Sequence, residues 1–288
     1  MDKIIFLTND DGYFSQGLLA LRDTLSQIAR VVIVAPAHEK SACGHGLCVN
    51  RPLQLIKLED DFYKLDDGSP TDCIYIGMHE LFSHKKPNLI ISGINIGANL
   101  GEDTTYSGTI AGAIEGALQG ISSIAISQFI NDKYGEEDKI VKRDFTLATE
   151  TIKKLALDIL NNRYTIGHRK LLNINVPAIP KDKCKGIRIT QLGYRIFSPT
   201  AERMQSPRNK EYHWIGLNPI RWEARDNSKN PYIKDNRYTY NNATSKIQVI
   251  TDFDAVANDY ISITPMQLDM TDYEDIQSLY NYYKMQNH

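Results

Sequence analysis

Two adjacent carboxylates, Asp10 and Asp11, close the first apolar run of the chain, Ile4-Ile5-Phe6-Leu7-Thr8, in the stretch Asn9-Asp10-Asp11-Gly12. Carboxylates fixed side by side repel, and a cation between them is the natural compensation. Asn95 at the end of another apolar run, and Ser41 after a third, add neutral oxygen donors. Two carboxylates, an amide and a hydroxyl form an all-oxygen set that suits magnesium, manganese or calcium and not a soft zinc site. Taken alone, the aspartates read equally well as an Asp-Gly turn or a helix N-cap. Ser41 also admits a role as covalent nucleophile, but neither flanking histidine, His38 or His45, is placed convincingly as its base.

A second signal is the glycines: seven of the eighteen fall between Gly93 and Gly120. The stretch Ser92 to Gly101 leaves a strand end, and Tyr106-Ser107-Gly108-Thr109 opens a helix. A helix N-terminus offers unpaired N–H groups and partial positive charge, and glycines let a ligand approach the backbone; together they suit a phosphate. Gly97, Gly101 and Gly108 read this way, whereas Gly112, Gly116 and Gly120 read as close helix–sheet packing. The spacing is neither GxGxxG nor a Walker loop, so it gives no case for a dinucleotide site.

These residues need a frame that brings strand ends together. Short continuous apolar runs at Val31–Ala35, Asn88–Gly93, Ile121–Ser127 and Leu171–Val176 read as buried strands. Between them lie a helix capped by Ser15, a small-residue helix from Gly108 to Leu118, and a stripe of Val141, Phe145, Ala148, Ile152, Leu155 and Ile159. The alternation predicts an α/β fold: a Rossmann-like, mainly parallel sheet with helices on both faces. In such sheets ligands sit beyond the carboxyl ends of the strands. We expect a catalytic core over 1–193, an extended arm over 194–245 and a C-terminal strand and helix over 246–288. The arm is polar, aromatic and poor in periodicity, with Tyr212, Trp214, Trp222, Tyr232 and Tyr238. It reads as an oligomerisation surface, with a nucleic-acid groove as the rival.

With 288 residues and 42% of them hydrophobic, the chain can bury a substantial core, and its net charge of −2 gives no pull toward nucleic acid or anionic membrane. The amino-terminal residues lack the pattern of a secretory leader, and no stretch is long enough to cross a bilayer. Cys43, Cys48, Cys73 and Cys184 lack paired metal-ligand spacing and read as free thiols, so a cytoplasmic protein is expected.

Several long motifs appear in order: LTNDDG at 7–12, AP followed by Ser41, GSPTDC at 68–73, SGINIGANLG at 92–101, YSGTIAGAIEG at 106–116, LNINVP at 172–177 and DYISITP at 259–265. In these the chain resembles the SurE (survival protein E) nucleotidases, over most of its length up to Pro265 and least around 195–245. The resemblance implies a divalent-metal-dependent phosphatase for nucleoside 5′- and 3′-monophosphates, some members of the family also acting on short polyphosphate. It implies one metal ion per subunit, magnesium or manganese, on Asp10, Asp11, Ser41 and Asn95, and phosphate contacts from Asn99, Ser107, Gly108 and Thr109. Asp10, Asp11 and Asn95 are then the expected catalytic residues. It also implies a homodimer or homotetramer with a C-terminal part swapped between subunits. Where the family usually has glycine after the serine this chain has Ala42, and Cys43-Gly44-His45 replaces a small polar run; neither removes a ligand. The rival class, a nucleotide-binding regulatory module without turnover, would not need Asp10 and Asp11 together.

Overall fold

The computed structural model describes residues 3–130, 144–197, 201–215, 220–223 and 249–286. Its amino-terminal part alternates β1 (Ile4–Thr8), α1 (Gln16–Leu25), β2 (Arg30–Pro36), β3 (Gln54–Glu59), β4 (Phe62–Asp66), α2 (Pro70–Glu80), β5 (Leu89–Ile96), α3 (Gly108–Leu118), β6 (Ser123–Phe129), α4 (Thr146–Leu160) and β7 (Lys170–Pro177). Then follow β8 (Ile187–Gln191), β9 (Tyr194–Arg195), β10 (Ala201–Gln205), β11 (Glu211–Ile215), β12 (Trp222–Glu223), β13 (Ile250–Thr251), α5 (Asp252–Ala257), β14 (Ile261–Gln267) and α6 (Tyr273–Gln286).

Ten strands form one sheet in the order β13-β8-β14-β7-β6-β5-β1-β2-β4-β3. From β4 to β7 the strands are parallel, as the apolar runs predict; β3 and β14 pair antiparallel with their neighbours β4 and β7. From β1 the chain steps to β2 on one side and later to β5 on the other, so the gap between β1 and β5 is a topological switch point. Asp10 and Asn95 lie at its carboxyl side.

Strands β1, β2, β5, β6 and β7 are buried over most of their length, which explains their largely apolar character. Ile5 and Leu7 pack with Leu18, Leu21 and Leu25 of α1 and Ile152 and Ile159 of α4. Ile4 and Phe6 point the other way, onto Cys73, Ile74 and Met78 of α2. Ser15 caps α1 as expected, accepting from Leu18 N at 3.3 Å. The predicted stripe becomes α4, starting at Thr146; Val141 lies outside the described residues. The sequence reading did not assign α2, β3 or β4. Yet Ser69-Pro70-Thr71-Asp72 forms a reciprocal capping box with proline in the first turn.

Gly112 and Gly116 seat α3 on the sheet. A Cβ at Gly112 would stand 2.8 Å from Thr8 Cγ2, and one at Gly116 would stand 2.4 Å from Ser123 Oγ. Gly120 differs from the expectation. It follows the helix end at φ +78° with open space around it, so it terminates α3 and does not pack it. Gly101 also serves packing, because a Cβ there would lie 2.5 Å from Gly193 O and 2.6 Å from Phe253 Cε2.

Within the 194–245 segment the described residues include an antiparallel hairpin, β10 with β11, that exposes Met204, Tyr212 and Trp214. Tyr232 and Tyr238 lie outside the described residues. Trp222 stacks on Phe253 of α5, with ring centroids 5.3 Å apart. No helix among the described residues is long and apolar enough to cross a membrane.

The carboxyl-terminal part is tied to the front of the sheet by Asp252. Its buried carboxylate accepts from Gly101 N at 2.8 Å, Gly193 N at 2.9 Å and Phe253 N at 3.0 Å. Burial pushes this carboxyl up to about 6, against those hydrogen bonds. The folded state therefore holds the proton more tightly than the unfolded chain. The contribution of Asp252 to stability is greatest below the unfolded carboxyl value, falls as pH rises from about 4 to about 6, and is flat above. We expect the stability difference between the wild type and Asp252→Asn to shift by about 3 kcal/mol against the wild type over that window. Urea unfolding at pH 4, 5, 6 and 7 measures it; a pH-independent difference contradicts the assignment.

Candidate active site

The loop after β1 is shaped by Asn9, whose amide donates to Gly12 O at 3.0 Å and Ser15 Oγ at 2.8 Å. That turn presents Asp10 and Asp11 at the sheet edge. Neither aspartate caps α1, since Ser15 does, so the structure removes that reading. Asp10 is 4% exposed and faces the start of α3. Thr109 Oγ1 donates to Asp10 Oδ1 at 2.5 Å. A Cβ at Gly108 would stand 2.8 Å from Asp10 Cβ and 3.0 Å from both Asp10 Oδ2 and Cys43 Sγ. Only glycine allows α3 to begin this close to a buried carboxylate.

Burial pushes the Asp10 carboxyl up; hydrogen bonding from Thr109 pulls it down, and the charge of Glu39 adds a smaller upward push. Burial, and then the charge of Asp10, push the Cys43 thiol up, so Cys43 stays a neutral thiol beside the aspartate. The available donors are therefore oxygens. Among the described residues no three His, Cys, Asp or Glu side chains cluster as a metal centre. The oxygens of Asp10, Asp11, Asn95 and Ser41 have the chemistry that a hard divalent cation takes.

The other expected ligands are placed unequally. Asp11 is half-buried, and its Oδ2 accepts from Ile96 N at 3.4 Å, which brings it to the end of β5. Asn95 is half-buried there and donates its NH2 to Gly97 O at 2.9 Å. The β5–β6 register slips between Ser92 and Asn95, which re-aims this side chain. Ser41 is exposed and donates to Glu39 Oε1 at 2.7 Å. It is near Asp10 through the backbone, as Lys40 N donates to Asp10 O at 2.7 Å, but its hydroxyl is turned to Glu39.

Of the expected phosphate contacts, Ser107 is the N-cap of α3, and its hydroxyl oxygen accepts from Ile110 N at 3.1 Å. Gly108 contributes the leading N–H of the helix. Thr109 is fully buried and spends its hydroxyl on Asp10. Asn99 is locked from several sides: its N donates to Asn175 Oδ1 at 2.9 Å, its amide to Ser127 Oγ at 2.7 Å, and its carbonyl accepts from Asn173 and Asn175. In the sequence, Asn173 and Asn175 stand out only as members of a strand. Their alternation with Leu, Ile and Val in a buried strand was the available signal. Glu39, whose charge reaches Asp10, was also passed over.

The Ser41 loop is clamped to α3. Gly44 N donates to Tyr106 O at 2.9 Å, and His45 Nε2 lies 3.1 Å from Glu115 Oε2. Burial pushes the Glu115 carboxyl up, but hydrogen bonds from His45 and Gln119 outweigh it and hold it below its ordinary value. Ala42 sits in this loop at φ +56°, the left-handed region that glycine enters without strain. A surface concavity lies elsewhere, lined by α1, β2 and the turn between β3 and β4. Its charged lining, Arg30 with Asp61 at 2.5 Å, is internally paired and gathers no comparable chemistry.

The fold is that of a Rossmann-like α/β protein, with two adjacent aspartates and a helix N-terminus at its switch point. A family model described as Survival protein SurE matches residues 5–199. A protein of Helicobacter hepaticus named 5'-nucleotidase SurE is 49% identical over 278 residues, covering 96% of this chain and 97% of its own. One of Aliarcobacter butzleri with the same name is 47% identical over 281 residues, covering 97% and 98%. The crystal structure of the SurE protein from Aquifex aeolicus aligns with TM-score 0.73 at 36% identity, covering 97% of this chain and 99% of that one. The chain belongs to the SurE family.

The His45–Glu115 contact has a measurable duty. In His45→Ala the backbone amides of Lys40 and Gly44 should exchange about 10-fold faster, the loss of one hydrogen bond to a charged group. Hydrogen exchange by mass spectrometry or NMR reads this, and unchanged protection means the contact does not hold the loop.

Proposed function

We propose that this chain is a divalent-metal-dependent phosphomonoesterase that hydrolyses nucleoside 5′-monophosphates, and 3′-monophosphates with them, to nucleoside and phosphate. One observation carries the reading. Asp10 is a buried carboxylate at a switch-point strand end, set against the N-terminus of α3 and held there by the Thr109 hydroxyl. Relatives named 5'-nucleotidase SurE at 42–49% identity over nearly the whole chain support the nucleotidase class.

Asp10, Asp11, Asn95 and Ser41 would hold one magnesium or manganese ion per subunit, Ser41 by turning away from Glu39. Such an ion, when bound, polarises the phosphoryl group and lowers the pKa of a water. The chain's own residues supply the rest. The leading N–H of α3 at Gly108 and the Ser107 hydroxyl receive phosphate oxygens, and Asn99 offers its remaining amide N–H from a fixed position. Donors held in place before the reaction stabilise developing charge without reorganisation. Thr109 acts one step back, orienting the Asp10 carboxylate through its hydroxyl. Asp11, the more accessible aspartate, accepts the proton of the attacking water. The terminal group of a short polyphosphate presents the same oxygens and is a secondary substrate on this reading. The apolar side chains exposed on β10–β11 and on α6, among them Trp214, Leu279 and Tyr280, support a homodimer or homotetramer.

Phosphate release from nucleoside 5′- and 3′-monophosphates and triphosphate chains, with magnesium or manganese, tests the reaction. Asp10→Asn should lower kcat about 10³-fold and weaken manganese binding by calorimetry while keeping the wild-type circular dichroism. Activity within a few fold of wild type at saturating manganese overturns the role of Asp10.

A further inference from the structure

Next to the phosphate-binding end of α3 the chain exposes two aromatic rings. Tyr106 directly precedes the N-cap Ser107, and its ring is 59% exposed. Its backbone is fixed from both sides: Tyr106 N donates to Asp103 O at 3.1 Å, and Tyr106 O accepts from Gly44 N at 2.9 Å. The ring is therefore held out by a rigid turn. Phe197, 47% exposed, meets it edge to face, with centroids 6.4 Å apart and planes at 80°.

Phe197 is itself supported. The Arg195 guanidinium stands 5.7 Å from its ring centroid. The Arg195 side chain is 7% exposed and ion-paired with Asp103, and Arg195 N donates to Glu102 Oε2 at 2.5 Å. Two distant stretches, the turn before α3 and the start of the 194–245 segment, are thus fastened together, and their joint product is a pair of rings facing outward. Neither ring adds to the core by pointing there. A flat apolar surface beside a phosphate cradle fits an aromatic group carried by the phosphate ester.

We propose that Tyr106, braced by Phe197, stacks the nucleobase of the substrate and is a specificity-determining residue of this site. The assignment rests on the nucleotidase reading above. Stacking on a ring face accepts every base, because every base has a π-face, and it favours the larger purines. The site then discriminates nucleotides from sugar phosphates more strongly than one base from another.

The experiment compares AMP with ribose 5-phosphate, which carries the same phosphate and sugar without the base. Tyr106→Ala should raise KM for AMP about 10-fold, leave kcat nearly unchanged, and leave KM for ribose 5-phosphate at the wild-type value. Tyr106→Phe should restore the wild-type KM for AMP, and Phe197→Ala, which leaves the entry to α3 intact, should raise it severalfold. An equal rise for both substrates overturns the assignment, as does an unmoved KM for AMP. So does a KM rise in Phe14→Ala, at the exposed ring that leans on Tyr13, in place of Tyr106→Ala. A changed sedimentation profile with unmoved KM assigns the rings to a subunit contact instead. Wild-type protein that releases no phosphate from AMP overturns the nucleotidase reading and the stacking with it, whereas wild-type turnover with an unmoved KM in Tyr106→Ala overturns the stacking alone.

Discussion

The structure around the site depends on a carboxylate placed where water cannot reach it well. Asp10 ends the central strand of the sheet against the first turn of α3, and burying that charge is costly unless something compensates it. Thr109 and the helix N-terminus provide part of that compensation. This requires α3 to lie flat on β1, β5 and β6, and hence Gly108, Gly112 and Gly116 on one face of the helix. The same seating brings the start of α3 under the Ser41 loop, which is then fastened by Gly44 and His45. One electrostatic demand thus explains a helix composition, a loop conformation and the convergence of donors from several elements.

The parallel sheet was legible because strands buried on both faces are written as unbroken apolar runs, and α3 was legible to its ends from Gly108 to Leu118. The β3–β4 pair was not. β3 is an edge strand with charged residues in alternate places, and its periodicity competes with a loop reading. α2 escaped although Ser69 to Asp72 spell its start, because its interior mixes cysteine, glycine and tyrosine without a clean stripe. For the site, residue type pointed to Asp10, Asp11 and the helix start. It did not reveal that Thr109 turns to Asp10, nor that Ser41 bonds Glu39, since side-chain direction is decided by packing. Asp252 was invisible for a different reason: its partners Gly101 and Gly193 are 151 and 59 residues away.

Polar groups are used here as fixtures as much as for chemistry. Asn99, Asn173, Asn175 and Ser127 bond one another at the ends of β6 and β7 where a purely apolar layer would pack as well. Such a network has one low-energy arrangement, so it sets the path of the 97–101 turn more tightly than interchangeable methyl contacts would. Side chains that hold a backbone turn in this way shape the surface beside it without forming part of that surface.

The Asp252 anchor also bears on how the protein is made. The chain emerges from the ribosome amino end first, so the aspartates, the glycine-rich turn and α3 are all synthesised well before the residue that fastens Gly101. At about 5–20 residues per second the 151 intervening positions take roughly 8–30 s. During that interval β7 also lacks its antiparallel neighbour β14, and a buried strand is a temporary open edge. The nascent protein therefore passes through a stage in which the glycine-rich turn exists in outline before the part that locks it has been translated.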